Sequence, residues 1–263
     1  MRLSALFLLP LLAFGCTDSE DSDTDMGTDP DTGEDTEGDT EAPGTQLRGT
    51  VTDADGNGLE GVRVNLCRQV CTTAETEADG SYLMPGLLAQ RYSLHFETHG
   101  DLDFADPAVP YNLADSDFVD LDVVIPSTTP VAIPATLASV EYGTDLFFSL
   151  AAGDVTLLFE DDPTEISVAR VATDTALPVD LEGTIEAIWY VDPWSAEMET
   201  PAPVEIRDTF SGVAGDDYVL YQLNYDDYDW ENLGTFTSDG SMLTGDVTLE
   251  RLDTLVLISV DND

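Results

Sequence analysis

The residues best placed to do chemistry sit in "DADGNGLEGVRV", Asp53 to Val64. Asp53, Asp55 and Asn57 put oxygen side chains on alternate positions, and glycine follows at Gly58. That is the first half of a helix–loop–helix calcium loop, which binds the ion with carboxylate, amide and carbonyl oxygens. The second half is missing. The twelfth position needs a bidentate glutamate, and counting from Asp53 it is Val64, which alternation turns toward a core. Asp and Asn bond their own backbone, and Gly56 and Gly58 tolerate positive φ, so the stretch reads as a turn between two strands. Asp53, Asp55 and Asn57 remain weak calcium candidates, and no resident metal or other cofactor is expected.

Other catalytic sets are thin. The two histidines, His95 and His99, fall in "HFETH". The glutamate of a helical zinc-protease motif directly follows the first histidine; here it is two residues on, and the context is a strand. Residues i and i+4 of a strand lie about 13 Å apart, too far to share one ion. His95 and Glu97 share a face, expected to be a solvent-facing strand edge. There is no G-x-S-x-G and no glycine-rich phosphate loop, and a Ser–His–Asp triad would have to borrow one of these histidines. Carboxylate pairs such as Asp161–Asp162, Asp216–Asp217 and Asp226–Asp227 are unavoidable among 54 acids, and nothing singles out a glycosidase pair. The chain is expected not to be an enzyme. A secreted polysaccharide hydrolase is the weakest of three functional readings.

Aromatic rings offer more. In "YVLYQLNYDDYDW", Tyr221, Leu223 and Tyr225 share one strand face, while Tyr228 and Trp230 fall in or after an acidic turn. Exposed rings stack on the apolar faces of sugars, and carboxylates take the hydroxyls. Tyr228 and Trp230 are therefore the candidate ligand-binding pair. The competing assignment packs Tyr221 and Tyr225 in a core or against neighbouring strands, with Trp230 under a loop. Trp189, Tyr190 and Trp194 around "DP" carry the same choice.

The elements that position these residues are strands. From Leu47 to Pro126 apolar residues alternate: Leu47 and Val51; Val62, Val64 and Leu66; Tyr92, Leu94 and Phe96. Asp/Gly turns separate them, with no long helical period. The series Gly49-x-Val51-x-Asp53, Gly58-Leu59-x-Gly61-Val62-x-Val64-x-Leu66, Ala78-Asp79-Gly80-x-Tyr82, Pro85-Gly86-Leu87 and Tyr92-x-Leu94-x-Phe96 resembles the carboxypeptidase regulatory-like domain. The resemblance implies a seven-stranded, prealbumin-like sandwich over residues 46–126. The usual proline before Leu59 is replaced by Gly58. It implies no catalytic residues, because the module is structural or ligand-presenting and the zinc peptidase it accompanies elsewhere is not in this sequence. After "STTP", residues 131–263 hold some nine further strands. Their later part distantly resembles ZU5-like β-sandwich modules of bacterial surface proteins. The expected fold is all-β, two consecutive antiparallel β-sandwich domains.

Ahead of them, "MRLSALFLLPLLAFGC" has a basic start, an apolar run too short to stay as a membrane helix, and small residues before Cys16. "LLAFGC" resembles the bacterial lipobox, which implies a signal peptide over residues 1–15 and lipid on Cys16. Thr17, where an Asp would retain a lipoprotein in the inner membrane, implies the outer membrane. Residues 16–45 are expected to form a disordered acidic tether. Thr17 to Pro43 holds twelve acids and no base, too little apolar surface to offset ordering entropy.

The net charge is −46, and −35 remains after the acidic stretch and Arg2 are set aside. Such a surface argues against nucleic acid, whose phosphates need Lys and Arg. It favours solubility, cation binding or life in high salt. Cys67 and Cys71, spaced C-x3-C, lack two further ligands nearby for zinc, so a disulfide pinning a tight hairpin is expected, contributing about 2 kcal/mol. The leading functional expectation is a lipid-anchored, non-enzymatic envelope protein with an unidentified protein or glycan partner. A carbohydrate-binding surface module is the second.

Overall fold

The computed structural model describes residues 44–98, 103–157, 162–174, 176–210 and 212–260. Cys16, the acidic stretch to Pro43, His99 and Asp161 lie outside them. The expected tether boundary at residue 45 shifts slightly, since the first strand already contains Thr45.

The N-terminal module has eight short strands: β1 (Thr45–Thr52), β2 (Arg63–Cys67), β3 (Cys71–Glu75), β4 (Ser81–Leu87), β5 (Arg91–Glu97), β6 (Ala108–Asn112), β7 (Phe118–Asp120) and β8 (Val123–Val124). One sheet runs β4-β1-β7, with β8 also on β1, and the other runs β3-β2-β5-β6. Alternation puts Leu47, Val51, Val64, Leu66, Leu94 and Phe96 into a shared core, all fully enclosed. Two pairings depart from the antiparallel expectation. After β6 the chain crosses to the other sheet and lays β7 and β8 parallel along β1. This crossing explains Gly49: a Cβ there would stand 1.9 Å from the Leu121 carbonyl oxygen.

The C-terminal module consists of β9 (Val131–Ala132), β10 (Ala138–Tyr142), β11 (Leu146–Leu150), β12 (Val155–Thr156), β13 (Glu165–Val171), β14 (Thr184–Asp192), β15 (Glu197–Arg207), β16 (Asp217–Asn224), β17 (Asp229–Ser238), β18 (Met242–Thr244), β19 (Thr248–Arg251) and β20 (Leu255–Ser259). These twelve replace the nine expected from pattern, partly because "SMLTGDVTLE" breaks into β18 and β19. All belong to one sheet, ordered β10-β11-β15-β18-β17-β16-β20-β14-β13-β9, with β12 and β19 both on the long β15. Tyr142, Phe148, Ile166, Trp189, Val204, Leu220, Phe236 and Leu257 come from strands across this order yet share one core. The sheet therefore curls round its own interior.

The modules are not beads on a string. Along β14, Ala187, Trp189 and Val191 point into the C-terminal core, while Ile188 and Tyr190 join the N-terminal core cluster. In β20, Leu255 and Leu257 face inward, while Val256 and Ile258 belong to the cluster that holds the N-terminal core together with Leu177, Leu181 and Ile185. Burial on both faces is why "AIWYV" and "LVLI" are continuous apolar runs rather than alternating ones. Leu223 and Trp230 complete the shared layer. The expected linker is itself held, by a bridge between Phe104 and Ser127 and by the Thr128 amide donating to the Asp103 carbonyl at 2.8 Å. Glu41–Asp263 accordingly forms one compact unit.

Candidate functional site

The amides of Asp55 and Asn57 donate to Asp53 Oδ1 at 2.9 and 2.8 Å, and Asn57 Nδ2 donates to Oδ2 at 2.9 Å. These donors, the Asn57 side chain foremost, hold the Asp53 carboxyl below the usual carboxylate range. Its lone pairs organise the loop that joins β1 to β2. Val64 is fully buried, so the twelfth calcium position is a core residue.

The disulfide joins Cys67 and Cys71, directly paired residues of the β2–β3 hairpin. Beside it lies the turn between β16 and β17. Asn224 Oδ1 accepts the amides of Asp226 and Asp227, folding the turn, and Tyr228 takes φ of 56°. Arg91 of β5 clamps it: Nε donates to the Tyr228 carbonyl and an NH2 to Asp229 Oδ1, both at 2.7 Å. The Arg68 guanidinium lies 5.9 Å from the Tyr228 ring centroid.

Of the predicted binding pair, Tyr228 is half-buried at this docked turn, but Trp230 is only 9% exposed and belongs to the shared core. Trp230 cannot offer a face to a ligand, because β17 turns it under the N-terminal module. The partly open rings are Trp194 and Tyr225, 5.4 Å apart at 43°. Tyr225 OH lies 3.9 Å from Cys71 Sγ and is the donor, since a disulfide sulfur has no proton. Trp194 also covers His95, with centroids 4.1 Å apart.

His95 is the second correction. It is 1% exposed rather than on a solvent edge, because β5 is an inner strand whose outer face is covered by the C-terminal module. Burial, with the Arg63 charge adding to it, pushes its imidazole down to about 3, so the ring is neutral at physiological pH. Glu97 instead pairs with Arg63 at 3.1 Å.

Three buried carboxyl groups meet at the same seam, and nothing local in the sequence marks them. Asp106 precedes β6, Asp192 ends β14 and Asp253 precedes β20. The Asp106 amide donates to both Asp192 oxygens, at 3.2 and 3.1 Å, and the Ala108 amide donates to Thr254 Oγ1 at 3.3 Å. Burial, then the charges of Asp106 and Asp253, push Asp192 well above the usual carboxylate range. Burial pushes Asp253 up to about 7, against the Thr254 amide and Arg251, which pull it down. Asp253 Oδ2, Ser93 Oγ, His95 Nε2 and Trp230 Nε1 are enclosed without hydrogen-bond partners among the described residues. Among the described residues no cluster of three His, Cys, Asp or Glu has metal-holding geometry.

The chain carries a net charge of −46. Each of the seven described arginines is engaged internally: Arg48 with Asp120, Arg63 with Glu97, Arg68 with Gln90, Arg91 with Asp229, Arg170 with Asp145, Arg207 with Glu141 and Arg251 with the Leu223 carbonyl. A groove of about 630 Å3 is lined by Glu197, Glu199, Glu231 and Glu250, with Arg251 at its wall.

Residues 46–124 match the carboxypeptidase regulatory-like domain. The match runs from β1 to β8, so the similarity covers the N-terminal module, and the Asp53 turn lies inside it. No curated protein matches the chain. Among solved structures, the chain is similar to a candidate carbohydrate-binding protein from Bacteroides uniformis, with 11% identity, a TM-score of 0.26, and coverage of 82% of this chain and 80% of that one. It is also similar to a DUF3823 family protein from Parabacteroides merdae, at 12% identity and TM-score 0.26, covering 84% and 81%. A third is the major pilin SpaD of Corynebacterium diphtheriae, at 11% and 0.28, covering 85% and 88%.

Proposed function

We propose that this chain is a non-enzymatic envelope protein, anchored in the outer membrane by lipid on Cys16, that presents its two β modules as one interaction body. The observation that carries this reading is the order of segments: a lipobox-like leader, an acid-rich run without bases, then a body whose modules share a core. The acidic run carries twelve acids and no base, and the shared core fixes the geometry of whatever the body displays. The anionic surface points to cations or basic protein surfaces as partners and away from nucleic acid. Metabolic labelling with a lipid probe in a Gram-negative host tests the anchor. The wild-type chain takes up label and Cys16→Ser does not; label retained in that variant defeats the reading.

A second reading has its own observation. Trp194 and Tyr225, half-open at the seam with Tyr228 nearby, could serve as a stacking platform for a glycan, the role that burial denies to Trp230. A glycan array should then show binding that Trp194→Ala and Tyr225→Ala abolish. An array without hits, or hits that survive both substitutions, removes it.

A further inference from the structure

The seam holds buried acids where a stable interface would ordinarily hold apolar or paired groups. Elsewhere in the chain a buried acid is fully matched: Asp145 takes Arg170 NH1 at 2.5 Å and Trp189 Nε1 at 2.8 Å. Asp192 and Asp253 have no ion pair among the described residues, and Asp253 keeps one oxygen without a partner. We propose that the seam is a pH-sensitive latch, which clasps the two modules while its buried carboxyl groups hold their protons and loosens when they lose them.

Every packed element contributes to the balance. The segment before β6 supplies Asp106, the end of β14 supplies Asp192, and the β19–β20 turn supplies Asp253 with Arg251. The β16–β17 turn adds Tyr225, Tyr228 and the Arg91–Asp229 pair, and β5 adds His95. Arg251 is the nearest cation to draw a proton off Asp253, but it is turned elsewhere: one NH2 donates to the Leu223 carbonyl, and Glu231 lies 4.0 Å away. The module-to-module bonds run through these same groups. The Asp106 amide reaches Asp192, and the Ala108 amide reaches the hydroxyl next to Asp253. Like charges enclosed together cannot all be tolerated, so ionisation pushes the segment before β6 away from β14 and β20.

The sign follows from proton binding. Both carboxyl groups titrate higher in the closed form than in the open one, so the clasp is strongest at acid pH. It weakens as pH rises through the value near 7 of Asp253 and the raised value of Asp192. Each group shifts the equilibrium roughly tenfold per pH unit between its open and closed values. His95 acts oppositely, since only its open form binds a proton below about 6.5, so it offsets one carboxyl group there and none above. The clean window therefore opens above about pH 6.5.

The test uses the full chain, with acrylamide quenching of its tryptophans and the urea midpoint followed across that window. Quenching should rise and the midpoint fall with pH, and Asp192→Asn and Asp253→Asn should each flatten both curves. His99→Gln should leave them unchanged. Flat wild-type curves, slopes kept in both Asn variants, or a slope removed by His99→Gln would overturn the latch. Carboxyl-carbon NMR of the wild-type protein decides the matter if the variants do not fold. Asp192 and Asp253 signals that both titrate below pH 5 exclude the latch, and signals that titrate above pH 6 support it.

Discussion

Asp53 and Asp253 carry the same side chain in opposite surroundings. Asp53 sits at an exposed turn and accepts three N–H donors from residues within four positions of it. Asp253 sits in the seam between modules, 1% exposed, with one amide donor and one oxygen unmatched. Donors stabilise the charged form and lower the first pKa, whereas enclosure penalises it and raises the second. The first site looks like chemistry in the sequence and proves to be architecture. The second is silent in the sequence and holds the titratable groups most displaced from their ordinary values.

The sharpest way to break this contrast is Asp253→Asn. A carboxyl group raised from 3.8 to about 7 carries a pH-dependent term of about 4 kcal/mol between pH 4 and pH 8. The amide removes that term but brings an N–H2 that needs an acceptor, at a cost of roughly 1–3 kcal/mol. The variant should therefore be more stable than wild type at pH 8 by about 1–3 kcal/mol and less stable at pH 4. Urea melts at the two pH values give both signs. A difference that does not change between the two pH values would mean that Asp253 is an ordinary solvated acid, and the contrast with Asp53 would collapse.

Next in size is Trp194→Ala. The indole touches His95 and Tyr225, and losing two ring contacts with part of their burial should lower stability by about 2 kcal/mol. A stability loss alone would show only packing. The seam argument adds that water then reaches His95, so its imidazole should climb from about 3 toward its ordinary value near 6.5, visible by proton NMR. An imidazole that stays depressed would mean that something other than Trp194 seals the seam.

What the sequence revealed follows the same divide between near and far. The β1–β2 turn was legible because its bonds span two to four residues, and the Cys67–Cys71 hairpin because its bridge spans four. The strands of the N-terminal module announced themselves by alternation. The seam did not, since its bonds join Asp106 to Asp192 across 86 positions and Arg91 to Tyr228 across 137. "AIWYV" and "LVLI" did signal burial on two faces, but a run of apolar residues does not say what covers the second face. The same gap misplaced His95 on a solvent edge and left Trp230 open between ligand platform and packed ring, because the module covering them is not visible in their local pattern. Asp192 and Asp253 were hidden more simply, as two acids among 54.

The smallest expected effect belongs to Asp53. Asp53→Ala removes the acceptor for three N–H groups, so the melting temperature should fall, but by less than in Trp194→Ala, because water can take over the freed donors at an exposed turn. Asp53→Asn should stay close to wild type, since its amide oxygen can still take the Asp55 and Asn57 amides, which both converge on Oδ1. The pH dependence is the reverse of that at the seam. A lowered carboxylate pKa contributes stability that is present above about pH 4 and lost on further acidification, so the penalty in Asp53→Ala should shrink at low pH. Calcium supplies the remaining arm. If the turn is architecture, millimolar calcium moves the melting temperatures of wild type and Asp53→Asn equally. A shift confined to wild type would return Asp53, Asp55 and Asn57 to the role their spacing first suggested, because only an ion needs the charge that the amide lacks.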